Sequence, residues 1–121
     1  MKLIIAVGVG SFIGGILRYL ISIVIQNKIT FPYATFVVNI FGCFLIGMVF
    51  AAYAKNMVTD DWRLFLATGV LGGFTTFSAF SYESFSMMRS GLFINALLYI
   101  CLSIIIGLLA TFMGYSLLKN M

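Results

Sequence analysis

Charged side chains are scarce in this 121-residue sequence. Lys and Arg number seven, Asp and Glu number three, and together they make up 8% of the chain. A soluble domain carries roughly 25% charged residues because its surface must face water. So few charges cannot coat such a surface, and 63% of the residues are hydrophobic. The composition therefore predicts an integral membrane protein, with lipid as its main solvent.

Motifs for catalysis and for nucleotide or metal binding are also missing. The chain has no His, no glycine-rich phosphate-binding loop and no Cys/His cluster. Its three acids do not form an acid–base pair suited to catalysis. The two cysteines, Cys43 and Cys101, lie within apolar runs, where we expect small buried packing residues. The sequence therefore predicts that the protein is not an enzyme.

The hydrophobic residues fall in four long runs. A membrane-spanning helix needs about 20 residues, so a chain of this length holds four such helices and little else. We expect spans at about residues 3–25, 33–54, 63–88 and 92–118. The first run is too long for a signal peptide and is interpreted as a retained helix. Residues 1–121 are thus predicted to form a single all-α membrane domain, which is thin enough to favour an oligomer.

Basic residues are nearly balanced between the two membrane surfaces. Short loops make neighbouring helices antiparallel, so both termini and the second loop lie on one side. That side carries Lys2, Lys55, Arg63 and Lys119, and the other side carries Arg18, Lys28 and Arg89. A protein with one fixed orientation normally shows a clear cytoplasmic excess of Lys and Arg. The balance favours dual topology and an antiparallel homodimer, although one or two charges can also fix a single orientation.

The third run contains the strongest local signal, Gly72-Gly73-Phe74-Thr75-Thr76. Paired glycines followed by two threonines weaken a helix, so we expect a break near residues 72–76. Irregular backbone near the bilayer midplane is tolerated only when it is buried in protein or faces a cavity. Carbonyl groups at such a break bind cations, and freed N–H groups face anions. Two antiparallel copies that cross here could enclose one Na⁺.

Three polar side chains lie in or near the apolar runs, and two of them allow two interpretations each. Arg18 either extends to the membrane surface or lines an aqueous vestibule for anions. Asn39 either offers N–H donors to an anion or joins two helices by hydrogen bonds. Glu83 lies toward the end of the third run, where solvation by water is the simpler interpretation.

Aromatic and hydroxyl side chains recur at helical spacing in the second half of the chain. Phe74, Phe77, Phe80 and Ser84 fall roughly on one helical face. Such residues usually pack, but a phenyl ring also has an electropositive edge that attracts a small anion without binding it tightly. On the fourth helix a polar or small residue recurs every four positions, at Tyr99, Ser103, Gly107 and Thr111. Hydroxyl groups there can donate to an anion or to a carbonyl group of the preceding turn.

Three motifs resemble those of the small fluoride channels known as the Fluc or CrcB family. They are Gly14-Gly15-Ile16-Leu17-Arg18-Tyr19, Thr35-Phe36-Val37-Val38-Asn39-Ile40-Phe41-Gly42 and Gly72-Gly73-Phe74-Thr75-Thr76-Phe77-Ser78. The third motif is highly specific, and the three occur in order across essentially the whole chain. The resemblance implies a dual-topology homodimer with two antiparallel pores and a central structural Na⁺ held by backbone carbonyl groups.

The resemblance also implies roles for individual residues. The residues matching the fluoride pore are Asn39, Phe77, Phe80, Tyr99, Ser103 and Thr111. Gly72 and Thr75 resemble the backbone ligands of Na⁺. Arg18 and Glu83 match a buried arginine and an acidic residue near the vestibule. Gly107 departs from the family pattern, because another hydroxyl group often stands there.

The function that the resemblance implies is passive export of fluoride through the plasma membrane of a bacterium, which protects the cell from fluoride toxicity. Hydrogen fluoride enters from acidic surroundings, dissociates near neutral pH, and the trapped anion leaves through the channel. Three alternatives remain. A small multidrug exchanger would need a carboxylate in the first helix, which is absent. A non-transporting assembly subunit would use the broken segment only for packing, and half of an obligate heterodimer would be inactive alone.

Overall fold

The computed structural model describes all residues 1–121 and contains only helices and connecting segments. The helices in chain order are α1 (Lys2–Val24), α2 (Tyr33–Ala54), α3 (Asp60–Arg63), a π-helical segment (Leu64–Leu71), α4 (Gly72–Phe74), α5 (Phe77–Arg89) and α6 (Phe93–Asn120). Residues 60–74 form what we name the first arm of the third span, and α5 forms its second arm.

Four helical stretches are long and apolar enough to cross a membrane. Three are α1, α2 and α6, and the third in chain order is Asp60–Arg89, which combines both arms. The shortest of them, α2, has 22 residues and is about 33 Å long at 1.5 Å per residue, which exceeds the hydrocarbon thickness of about 30 Å. The predictions of an all-α fold and of four membrane spans are confirmed, and the chain is a multi-pass membrane protein.

Short polar connections fix where the helices begin and end. Pro32 precedes the first residue of α2, and the hydroxyl group of Thr59 accepts the amide of Trp62 at 3.4 Å to cap α3. After α5 the chain turns at Gly91, whose φ of +80° favours glycine. The amide of Leu92 then donates to the carbonyl of Met87 at 2.8 Å, which closes the end of α5.

The helix of the third span ends later than the glycines alone suggest. Gly72 lies within a helical turn, and the backbone becomes extended only at Thr75, with ψ of 158°. Gly73 is needed for close packing, because a Cβ there would overlap the carbonyl group of Ser11 on α1. The glycines therefore permit close contact between helices, and the extended backbone of the break lies at the threonines.

Helix α1 lies directly against the first arm. Gly14 is buried, and a Cβ at this position would overlap the carbonyl oxygen of Val70 and lie 2.8 Å from the amide nitrogen of Phe74. The hydroxyl group of Ser11 lies 3.4 Å from the carbonyl oxygen of Gly69, to which it donates. Backbone-to-backbone approach through small residues is how helices associate where lipid removes the hydrophobic driving force.

Helices α2 and α6 form the other close pair. A Cβ at Gly114 of α6 would overlap the carbonyl group of Phe44 on α2, so the two backbones touch there. At the end of this pair, Nζ of Lys55 donates to the carbonyl oxygen of Leu118 at 3.2 Å. Near the opposite end, Met87, Ala96 and Tyr99 form a small buried core that joins α5 to α6.

Most of the apolar surface of the chain is exposed. Only 21 of the 121 residues are buried, so the other faces of the four spans are left for lipid or for further protein. Cys43 is half-buried, whereas Cys101 is exposed on α6. The expectation of two buried cysteines is wrong for Cys101, because that face of α6 has no neighbouring helix within the chain.

Candidate functional site

The third span breaks at two consecutive threonines. Thr76 is extended, with φ of −149° and ψ of 117°, and follows the extended Thr75. The hydroxyl group of Thr75 donates to the carbonyl of Leu71 at 2.9 Å. The hydroxyl group of Thr76 accepts the amide of Ala79 at 3.2 Å and caps α5. One threonine side chain therefore stabilises the end of the first arm and the other stabilises the start of the second arm. The break is a defined turn.

Asn39 of α2 holds this break by two hydrogen bonds. Its Nδ2 donates to the carbonyl oxygen of Thr76 at 3.1 Å, and its Oδ1 accepts the amide of Thr76 at 2.9 Å. Both backbone groups of Thr76 are thus satisfied at a position outside regular structure. An amide nitrogen carries two hydrogens, so a second N–H of Asn39 remains beyond the bond to Thr76. Asn39 therefore joins two spans and still has a donor to offer.

A cavity of about 350 Å³ lies beside the break, and α2, both arms and α6 contribute to its wall. Six residues that the sequence predicts for the pore or for the Na⁺ site line this break cavity, namely Asn39, Gly72, Thr75, Phe77, Phe80 and Ser103. The wall combines a few polar groups with aromatic and aliphatic side chains. Such a wall can hold a small anion weakly enough for it to leave again.

Two phenyl rings stand together at the start of α5. The ring centroids of Phe77 and Phe80 are 5.6 Å apart. Phe77 is 79% exposed and has little packing within the chain, whereas the ring of Phe80 lies 5.1 Å from that of Tyr99. The two rings border the break cavity, and the edge of a phenyl ring is electropositive.

Phe74 does not share the face of these two rings. It lies in the first arm, is 4% exposed, and packs in a T-shaped arrangement on Phe41 with centroids 6.3 Å apart. The single aromatic face expected from Phe74 to Ser84 is wrong, because the extended residues at the break interrupt the helical repeat. The hydroxyl group of Ser84 instead donates to the carbonyl of Phe80 at 2.8 Å.

The three hydroxyl residues predicted for the pore on α6 have different surroundings in the single chain. Ser103 borders the break cavity. Tyr99 is completely buried, and its hydroxyl group donates to Oε2 of Glu83 at 2.8 Å. The hydroxyl group of Thr111 donates to the carbonyl of Gly107 at 3.1 Å, within the same helix. The break cavity therefore contacts only Ser103 of these three.

Glu83 is the centre of a polar cluster that joins three spans. Its Oε1 accepts from the hydroxyl group of Thr35 at 2.6 Å and from Nδ2 of Asn27 at 3.0 Å, while Oε2 accepts from Tyr99. The interpretation of Glu83 as a merely solvated acid is wrong, because three side-chain donors bind a half-buried carboxylate. Bonds of this kind, with an ionised acceptor, are stronger than those between neutral groups.

Sequence reasoning missed Asn27 and Thr35 as members of this cluster. Thr35 lies one helical turn before Asn39 on α2, and this spacing of four residues could have placed it on the same face. Asn27 lies in the connection before α2, where no periodicity applies, and only its ability to cap a helix offered a signal.

Arg18 borders a second cavity, of about 300 Å³, together with Glu83. We name this space the vestibule cavity, and α1, α2 and the second arm contribute to its wall. Asn27, Thr35 and Thr76 also line it. Thr76 borders both cavities, so the two lie on either side of the break. The structure thus brings together the two residues that the sequence predicts for a vestibule.

Comparison with known proteins supports the family resemblance seen in the sequence motifs. Residues 5–115 match the family described as "CrcB-like protein, Camphor Resistance (CrcB)". Three similar proteins each carry the name "Fluoride-specific ion channel FluC". The one from Flavobacterium psychrophilum is 46% identical over 124 residues, covering 100% of both chains. Those from Aquifex aeolicus and Thermus thermophilus are 43% and 40% identical, covering 95% and 97% of this chain and 95% of each relative.

These relatives are named as ion channels, not as enzymes, and the match extends across all four spans and both sides of the break. The resemblance seen in the three sequence motifs is therefore confirmed, and the chain belongs to the CrcB family.

Proposed function

We propose that this protein is a fluoride channel, which lets cytoplasmic fluoride leave a bacterial cell passively. One observation carries the proposal most directly. The break cavity brings Asn39, Phe77, Phe80 and Ser103 together in a chain whose relatives are named fluoride-specific channels. No carboxylate or histidine borders this cavity, so it lacks the group that normally carries a proton in a coupled transporter.

Each wall residue supplies a weak, uncharged attraction to the anion. The second N–H of Asn39 and the hydroxyl group of Ser103 donate hydrogen bonds. The rings of Phe77 and Phe80 present electropositive edges. Together they replace part of the hydration shell of fluoride without a positively charged side chain in the wall, which would hold the ion too long for conduction. In this proposal Arg18 and Glu83 border the entrance, Tyr99 holds Glu83 there by a hydrogen bond, and Thr111 continues the row of hydroxyl residues along α6.

The working unit in this proposal is an antiparallel homodimer with two pores. Support comes from the near balance of basic residues between the two surfaces and from the large apolar area that one chain leaves exposed. Phe77 is mostly exposed in the single chain, and a second copy would complete the pore around it.

A central Na⁺ fits the end of the first arm. Helix α4 ends at Phe74, and the last carbonyl groups of a helix carry partial negative charge. Gly72 and Thr75 border the break cavity, and backbone oxygens are suitable ligands for a hard cation. In the dimer the same two residues of each chain would hold the ion between them. A bound cation there lowers the cost of bringing anions close to the dimer centre.

Ion efflux from liposomes tests the channel function. The purified chain is reconstituted, the vesicles are loaded with fluoride or chloride, and release is followed with ion-selective electrodes. We expect rapid fluoride efflux, negligible chloride efflux, and at least about a tenfold loss of fluoride efflux in Asn39→Ala and Phe80→Ile. Ser81→Ala, an exposed residue of α5 outside both cavities, is the matched control and should retain efflux.

Absence of fluoride efflux from a folded, reconstituted dimer would reject the channel and favour an assembly subunit or half of a heterodimer. Efflux of a cationic drug driven by a proton gradient would favour an exchanger instead. Removal of Na⁺ by dialysis should lower the thermal stability of the dimer, and unchanged stability would contradict a structural sodium ion.

A further inference from the structure

Asn27 makes hydrogen bonds in two directions from the connection between α1 and α2. Its Oδ1 accepts the amides of Ala34 and Thr35, at 2.8 Å and 3.4 Å. These amides belong to the first turn of α2, where backbone donors have no partner within the helix. Its Nδ2 donates to Oε1 of Glu83 at 3.0 Å and lies 3.3 Å from the hydroxyl oxygen of Thr35. One side chain therefore caps α2 and also binds a carboxylate on α5.

The chemistry of the amide fixes which atom faces Glu83. The amide N–H groups of Ala34 and Thr35 need an acceptor, and in the carboxamide only the oxygen can accept them. The nitrogen of Asn27 must then point toward the carboxylate and the hydroxyl group of Thr35. The hydrogen-bonded first turn of α2 thereby sets the position of a donor to Glu83.

Glu83 and Arg18 border the same vestibule cavity but form no ion pair. The carboxylate oxygens are instead bound by three neutral donors, from Asn27, Thr35 and Tyr99. A carboxylate and a guanidinium that border one cavity attract each other and could pair there. The hydrogen bonds from the three neutral donors hold the carboxylate of Glu83 and so oppose that pairing.

We infer that Asn27 is a positioning residue, which ties the first turn of α2 to Glu83 and keeps the carboxylate turned away from Arg18. The inference rests on the proposed function, because the charge of Arg18 then remains available to an anion that enters the vestibule cavity. The other titratable groups around Glu83 are Tyr19 of α1, Lys28 of the connection, Tyr82 of α5 and Tyr99 of α6.

The substitution Asn27→Asp separates the two contacts of this side chain. A carboxylate retains the acceptor for the α2 amides, but it replaces the donor to Glu83 with a second acceptor. We expect fluoride efflux at neutral pH to fall about tenfold, since a hydrogen bond to a charged group is lost. We also expect the two carboxyl groups to share one proton, because two adjacent carboxylates do not both ionise readily. An infrared spectrum of the purified protein should then show a protonated carboxyl band that the unmodified protein lacks.

Asn95→Ala is the matched control. Asn95 also binds the connection between α1 and α2, since its Nδ2 donates to the carbonyl of Thr30 at 2.9 Å, but it has no contact with Glu83. We expect this variant to keep fluoride efflux within about twofold of the unmodified protein and to show no protonated carboxyl band. In Glu83→Gln, the further change Asn27→Asp should add no loss of efflux and no such band, because the side chain at 83 can then donate to the carboxylate.

The infrared band and the melting temperature do not depend on transport, so they separate this inference from the proposed function. Absence of fluoride efflux from the unmodified protein would reject the channel alone. Asn27→Asp with unchanged efflux and no protonated carboxyl band would overturn the positioning role. Lower efflux and a lower melting temperature in Asn27→Ala alone, with Asn27→Asp like the unmodified protein and without the band, would show a capping role only and would also overturn it.

Discussion

The two arms of the third span follow one another in the chain but differ in composition and in packing. The first arm is largely apolar and lies against α1 through close backbone contact at Gly14 and Gly73. The second arm carries four serines, Tyr82 and Glu83, and begins with the exposed ring of Phe77. Helix α1 thus covers the first arm, while much of the second arm faces cavities or the outside of the chain.

This difference separates two roles within one membrane span. The first arm packs against α1 and holds one side of the break in place. The second arm contributes side chains to both cavities, at Phe80 and Glu83. Substitutions in the first arm should therefore change stability, and substitutions in the second should change transport.

The largest effect is expected where α1 meets the first arm. In Gly14→Ala the new Cβ would overlap the carbonyl oxygen of Val70, so the helices must separate. We expect a loss of about 3 kcal/mol or more, seen as little or no monodisperse protein in detergent. Gly8→Ala on the same helix meets no atom within 4 Å and is the control. Equal melting temperatures for the two variants would contradict the close contact.

A pair of phenylalanines on either side of the break tests the separation of roles. Phe74→Ala removes a buried ring and should cost about 3 kcal/mol of stability. Phe77→Ala removes an exposed ring, so its melting temperature should change far less while fluoride efflux falls at least about tenfold. Thermal unfolding and liposome efflux are measured on both variants. A reversal, with Phe77→Ala less stable but fully active, would refute the assignment of roles.

Gly42 and Thr75 test how closely α2 approaches the break. A Cβ at position 42 would overlap Cγ2 of Thr75. Gly42→Ala should therefore cost about 1–2 kcal/mol, and adding Thr75→Ser should restore most of it, because serine lacks that methyl group. The serine keeps the hydroxyl that binds the carbonyl of Leu71. Additive losses in the double variant, measured by thermal unfolding, would mean that the two residues do not touch.

The smallest effects are expected among the hydroxyl groups of α6. Ser103 borders the break cavity, so Ser103→Ala should lower fluoride efflux about threefold. The hydroxyl group of Thr111 already binds the carbonyl of Gly107, so Thr111→Val should change efflux less than about twofold. Efflux rates measured side by side in one vesicle preparation decide the order, and a larger loss in Thr111→Val would reverse it.

The number and type of spans followed from the sequence because long apolar runs leave few structural choices. The role of the paired glycines could not be predicted from the sequence. A glycine that weakens a helix and a glycine that permits close packing look alike in a sequence, and only the position of α1 identifies Gly73 as the second kind. The two threonines were part of the same motif, and their own side chains hold the extended turn.

The candidate site was predictable in its central residues and not in its supporting ones. A lone carboxamide such as Asn39 in an apolar helix is conspicuous, because its burial without a partner is costly. Asn27 lies in a polar connection, where an asparagine attracts no attention. Its importance depends on α2 and α5 meeting in space, which residue spacing within one helix cannot reveal. The pairing of Glu83 with neutral donors was missed for the same reason.

The π-helical segment gives the third span a place that tolerates a change in residue count. At its end, the amide of Gly72 donates to the carbonyl of Ala67, five residues earlier. A π-helical turn holds more residues than an α-helical turn, so deleting one residue from Leu64–Leu71 would let the segment wind as an ordinary α-helix with little change of helical phase beyond it. The same deletion within α5 would turn the residues that follow it by about 100°, which is one residue of an α-helix. A single-residue deletion before Glu83 in α5 should therefore remove the contacts of this carboxylate with Thr35 and Tyr99, whereas a deletion in the π-helical segment should leave them in place.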